Sequence, residues 1–89
     1  MFATFTDWSM DNPEEGVKTA EEIWPEMKAA GAINMRIVKT DDTGARSMTM
    51  WPDEATAMKA IDAMRAKGAA KSGSEVVGSA MGTVLVEMD

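Results

Sequence analysis

Ile33-Asn34-Met35-Arg36-Ile37-Val38-Lys39-Thr40-Asp41-Asp42-Thr43-Gly44-Ala45-Arg46-Ser47-Met48-Thr49-Met50-Trp51 reads as two strands around a turn. Ile33 to Thr40 alternates, Asp41-Asp42-Thr43-Gly44 carries turn chemistry, and Arg46 to Trp51 alternates again. With Asp42 and Thr43 at the tip, Val38 faces Ser47, Arg36 faces Thr49 and Asn34 faces Trp51. Opposed residues share a sheet face. One face then carries Met35, Ile37, Met48 and Met50 and is expected to be core. The other carries Asn34, Arg36, Val38, Ser47, Thr49 and Trp51. On this reading, truncating Met50 to alanine costs about 2 to 5 kcal/mol through the cavity it leaves.

Upstream of the hairpin, Ala3 to Trp8 alternates and is rich in Phe, Thr and Trp, a first strand with Ala3 and Phe5 on one face and Thr4, Thr6 and Trp8 on the other. Asn12 is a natural N-cap, Pro13 fits the first helical position, and Glu15 stands where a capping-box carboxylate reaches back. Val17, Ala20, Ile23, Trp24 and Met27 repeat at helical spacing up to the stop at Gly31, so the first helix spans Pro13 to about Ala30. Pro25 removes a backbone donor and disfavours helical geometry at Trp24, which predicts a kink or break between Trp24 and Glu26.

Downstream, Pro52 ends the third strand and Asp53 caps a second helix. Its stripe is Met58, Ile61 and Met64, and Lys67-Gly68 closes it. Ala69 to Ser79 is weakly patterned, a loop with room for one extra helical turn. Gly82 to Met88 reads as the last strand, with Val84, Val86 and Met88 toward the core and Thr83, Leu85 and Glu87 opposite. The order is βαββαβ.

The composition bounds the function. A chain of 89 residues, 45% apolar and 27% charged, is expected to fold as one α+β domain over 1–89 with little interior for a second function. It has no cysteine and no histidine, which removes thiolate nucleophiles, zinc-thiolate sites and the commonest general base together. No cofactor and no metal are therefore expected. A formal charge of −6 repels phosphate backbones and anionic surfaces, so nucleic acid and membranes are not expected partners. The opening residues lack a basic leader and a long apolar stretch, and the chain reads as cytoplasmic.

Two helices on one face of a four-stranded antiparallel sheet, with right-handed crossovers, make a ferredoxin-like fold and leave the other face bare. That face is expected to hold Thr4, Thr6, Trp8, Asn34, Arg36, Val38, Thr49, Trp51, Thr83, Leu85 and Glu87, a mix suited to a partner interface or a small-molecule cavity. A homodimer would cover it. In element order and length, and in Trp51-Pro52-Asp53-Glu54-Ala55 followed by Met58-Lys59-Ala60-Ile61, the chain resembles the dimeric α/β-barrel superfamily that contains the antibiotic-biosynthesis-monooxygenase-like proteins. The resemblance implies two sheets facing each other, and sites that look into the space between sheet and helices. Members include cofactor-free oxygenases of aromatic substrates and haem-degrading enzymes. By similarity, Asn34, Arg36 and Trp51 are the positions to inspect. The chain departs from that pattern in having neither His nor Tyr.

Asn34, Arg36, Thr49, Trp51 and Glu87 are the candidate ligand-binding residues. Against that, Trp51 also suits a dimer anchor, and Arg36 a pairing with Glu87 of a second copy. The ten methionines fall mostly on expected core faces as adaptable filler rather than as copper ligands. The pairs Glu14-Glu15, Glu21-Glu22 and Asp41-Asp42 read as solvated charge. A small homodimeric protein that binds a small molecule or serves an accessory role is the leading reading. A cofactor-free monooxygenase-like enzyme acting on an aromatic or quinol-like substrate is the second, with Glu87 as the one carboxylate on the enclosed face able to serve as base. A sheet-surface RNA binder is third, demoted by net acidity.

Overall fold

The computed structural model describes residues 1–88. Its elements are β1 (Phe2–Ser9), α1 (Pro13–Ala29), β2 (Asn34–Asp41), β3 (Gly44–Trp51), α2 (Glu54–Ser72) and β4 (Glu75–Thr83). The strands form one antiparallel sheet in the order β2-β3-β1-β4, with both helices on one side. This is the expected βαββαβ ferredoxin-like arrangement.

The N-cap residues act as read at both helix starts, although no Glu15 side-chain bond back to Asn12 accompanies the first. Asn12 Oδ1 accepts from the Glu14 N–H at 3.1 Å with Pro13 in the first helical turn, and Asp53 Oδ1 accepts from the Thr56 N–H at 2.8 Å. Each cap satisfies a donor that the helix itself leaves unpaired. Of the kink or break expected at Pro25, the break is absent: α1 runs unbroken through it. Ile23 and Met27, one on either side, are both buried and hold the two halves against the same sheet.

The hairpin tip lies where the turn chemistry places it, with Asp41 opposite Gly44, but the register beyond is displaced by one residue. Lys39 pairs with Ala45, so Thr40 is an extra residue in β2. Such a bulge slips every later pair by one position. Asn34 therefore faces Met50 and Arg36 faces Met48, where Trp51 and Thr49 were expected.

The slip reverses the face assignment of β3 and, with it, of β1. Thr4, Thr6, Trp8, Ala45, Ser47, Thr49 and Trp51 lie on the helix side together with Met35 and Ile37; Ala3, Phe5, Asp7, Arg46, Met48 and Met50 lie on the open side with Asn34, Arg36 and Val38. Met50, expected in the core, is on the open face. Trp51, expected on the bare face, loses all exposure and packs with Phe2, Ile23, Met27, Ala32, Ala57, Ala60 and Ile61. Its Nε1 donates to Thr4 Oγ1 at 3.0 Å, so this deeply buried indole keeps its hydrogen bond.

The helical stripes also move. Val17 and Met58, expected to be buried, are exposed, while Ala57, Ala60, Ile61 and Gly68 line the inner side of α2. Gly68 does not close the helix. Alanines and lysines carry α2 on to Ser72, and Gly73, at φ +68°, is the left-handed residue that ends it. The last strand accordingly begins at Glu75, seven residues earlier than expected. Its ladder with β1 is exhausted where the Val84 N–H meets the Met1 carbonyl at 2.9 Å. Leu85, Val86, Glu87 and Met88 lie beyond it, exposed and outside any strand.

Candidate functional site

A cavity of about 80 Å³ lies between the helix side of the sheet and the two helices. Met35 and Ile37 of β2, Ala45, Ser47 and Thr49 of β3, and Thr6 and Trp8 of β1 form its floor. Ile23 and Met27 of α1 and Ile61, Met64 and Gly68 of α2 form much of its roof. Ala45, Ser47, Thr49 and Thr6 give the floor small or hydroxylated side chains between Met35, Ile37 and Trp8, where Phe2 and Trp51 fill the same layer at the other end of the sheet. Gly68 admits the Trp8 ring: a methyl group there would approach Trp8 Cη2 to 3.2 Å.

Polar groups enter the cavity in a defined way. Trp8 Nε1 donates to Ser47 Oγ at 3.0 Å, and Arg65 Nε donates to Thr6 Oγ1 at 2.9 Å. Arg65 Nη2 donates to the Phe5 carbonyl at 3.2 Å, tying α2 to the central strand. Thr49 is 3% exposed and lines the same space. Among the described residues Arg65 is the single charged side chain in the lining, and no carboxylate is present there. The wall thus offers hydrogen-bond donors on an apolar ground, with no group suited to remove a proton.

Beside it is a more polar hollow of about 410 Å³ bounded by the start of α1 and the end of α2, with Asp11, Glu15, Lys18 and Lys71 on its walls. The two share Met10, Gly16, Thr19 and Ser72, so the hollow adjoins the inner cavity.

The open sheet face is different in character. Phe5, Met48, Met50, Val38 and Ala3 give it an apolar centre, and Asn34 and Arg36 stand exposed on its β2 edge. Arg46 spans it, donating to Asp7 from Nε at 2.7 Å and from Nη2 at 3.1 Å, with its guanidinium 5.7 Å from the centre of the Phe5 ring. This hydrogen bonding holds the Asp7 carboxyl below the ordinary carboxylate value and raises Arg46. Gly78 leaves room for that carboxylate, since a methyl group there would meet Asp7 Oδ2 at 2.9 Å.

The five candidate residues therefore do not converge. Thr49 lines the cavity, Trp51 sits in the core beyond it, Asn34 and Arg36 are on the opposite sheet face, and Glu87 follows the last strand. The sequence reading missed Trp8 as a cavity wall, and it missed Arg65. A signal for Arg65 was available: it lies four residues after Ile61 and three before Gly68, an arginine on the buried stripe of an otherwise apolar helix face. No group of three or more His, Cys, Asp or Glu side chains among the described residues is placed to hold a metal ion, and none of their helices is long and apolar enough to cross a membrane.

No family model matches the chain, and no curated protein is significantly similar to it in sequence. Its fold does have solved counterparts. A dimeric ferredoxin-like protein from an uncultured marine organism superposes with a TM-score of 0.70 at 16% identity, over 100% of this chain and 99% of that one. A single-residue variant of SnoaB, a cofactor-independent oxygenase from Streptomyces nogalater, superposes with a TM-score of 0.69 at 13% identity, over 98% of this chain and 96% of that one. A second SnoaB structure gives 0.63 at 14% identity over the same shares. The chain shares the ferredoxin-like α+β fold of these solved structures.

Proposed function

We propose that this chain is a homodimeric protein that binds a small, largely apolar molecule in the cavity between sheet and helices. One observation carries the reading: the cavity is walled by apolar side chains with a few convergent hydrogen-bond donors, the composition that small-molecule sites use for affinity and orientation. Its volume is several times the roughly 10–15 Å³ that one water needs, and well below the roughly 300–1,000 Å³ of drug-sized sites. A ligand of few heavy atoms fits this scale. Met10, Met27, Met35 and Met64 in the wall can repack around a somewhat larger one.

The dimer reading is supported by the open face and by residues 84–88. Phe5, Met48, Met50 and Val38 make a contiguous apolar surface, and Leu85 is 95% exposed. Covering both with a second copy removes an apolar area that monomers seldom leave in water. The dimeric ferredoxin-like neighbour supports a homodimer.

A cofactor-free oxygenase is the second reading, favoured by the similarity to SnoaB. Such chemistry calls for a base beside the bound substrate, and the cavity wall holds no carboxylate. A sheet-surface RNA binder gains Phe5, Arg36 and Arg46 on the open face, but Arg46 is committed to Asp7.

Titrating protein labelled at its methionine methyl groups with a panel of small aromatic and aliphatic fragments tests the binding reading by NMR. Shifts at Met35 and Met64 are expected, with Met48 and Met50 unmoved. A panel that leaves Met35 and Met64 untouched overturns it. A quinol-oxidation assay run alongside tests the second reading, and robust turnover would put the enzyme first.

A further inference from the structure

Resting on the cavity as the binding site, we propose that its ligand is a small carboxylate with an apolar body, held by Arg65. Burying part of a guanidinium in an apolar wall is costly unless an anion accompanies it. No carboxylate of the described residues lies within 4 Å of Arg65; Lys18, Lys28, Arg36 and Lys59 also have none but are exposed, whereas Arg65 is both unpaired and half-buried. Arg65 is half-buried at the cavity wall and uses two donors, one on Thr6 Oγ1 and one on the Phe5 carbonyl. A guanidinium has five N–H donors in a fixed fork, so three remain.

The neighbouring hydroxyls lean the same way. Thr6 Oγ1 accepts from Arg65 and Ser47 Oγ accepts from Trp8, and neither donates to any described residue. Each keeps its own proton for a ligand oxygen. The cavity thus gathers one positive charge and two hydroxyl donors, with no negative group opposing them. This is complementary to a carboxylate, whose two oxygens match an arginine fork. Ile23, Ile37, Met35 and Met64 offer apolar surface for the rest of the molecule.

The experiment compares butyrate and benzoate with the uncharged butyramide and benzamide, read by Met35 and Met64 methyl shifts in the parent, in Arg65→Gln and in Arg65→Lys. At least about a tenfold preference for the acids is expected in the parent, the order expected when a hydrogen bond gains a charged partner. Arg65→Gln should lose that preference while still taking up the amides, and Arg65→Lys should keep part of it. Acids and amides binding equally in the parent, or a preference that survives in Arg65→Gln, overturns the proposal and leaves the cavity reading standing. Should Arg65→Gln not fold, the parent ratio and its reduction in Arg65→Lys decide. If none of the four compounds moves either methyl in the parent, the cavity reading falls and this inference with it.

Discussion

Trp51 shows how one side chain sets the stability of this fold. It is fully buried at the end of β3, its ring fills the layer between sheet and helices, and its Nε1 donates to Thr4 Oγ1. Trp51→Ala should cost about 3 to 5 kcal/mol by the cavity it opens, enough to unfold much of a domain this small. Thr4→Val keeps the volume but leaves a buried indole N–H unpaired, and should cost about 1 to 3 kcal/mol. Met50→Ala should cost far less, because Met50 is half-buried on the open face. Urea melts of the three variants rank them. A Met50→Ala loss equal to that of Trp51→Ala would contradict the faces described here. The residues also show what a single chain could reveal. Asn12, Pro13 and Asp53 act within one turn of themselves, so their roles were legible. Trp51 and Trp8 depend on which sheet face the helices cover, and both faces of this sheet are apolar enough to be chosen.

At the scale of elements, α2 is ended by one glycine and fitted to the sheet by another. Gly73 has φ +68° and open space around it, so Gly73→Ala meets no clash and pays only for the left-handed backbone, about 1 to 2 kcal/mol. Gly68 is helical and lies under Trp8. Gly68→Ala gains about 0.8 to 1 kcal/mol of helix propensity and loses a similar amount by displacing the ring, leaving stability close to the parent. The two should separate by function. Gly73→Ala lowers the melting temperature and leaves fragment shifts at Met64 intact, whereas Gly68→Ala weakens those shifts because Trp8 moves at the cavity wall. Thermal melts with the NMR titration check both, and unchanged fragment binding in Gly68→Ala would remove Trp8 from the site. From sequence, Lys67-Gly68 and Gly73 offer the same stop signal; the helix passes the first, where Ala69, Ala70 and Lys71 sustain it and Gly68 is helical against Trp8, and ends at the second, which takes the left-handed conformation.

For the molecule as a whole, the proposed dimer would place the open sheet face and residues 84–88 in its interface. The parent should be a dimer by light scattering at micromolar concentration, and Met48→Glu should be monomeric yet folded, because a carboxylate beside Phe5 is tolerated in water but not in a covered apolar face. A parent that stays monomeric there removes the dimer reading. A Met48→Glu protein that stays dimeric places the interface elsewhere.

The order βαββαβ, the helix starts and the position of the hairpin tip follow from the sequence by itself, because caps, turns and alternation act over a few residues. The tertiary structure decided which face of the sheet is core, where the last strand begins and which residues meet at the cavity. The physical reason is the bulge at Thr40: one unpaired residue costs the hairpin little, yet with a side-chain period of two it turns Thr49 and Trp51 under the helices and leaves Asn34 and Arg36 outside. Arg65 meets Thr6 across 59 positions of chain, a contact that no local pattern encodes and that only the packing of α2 on β1 creates.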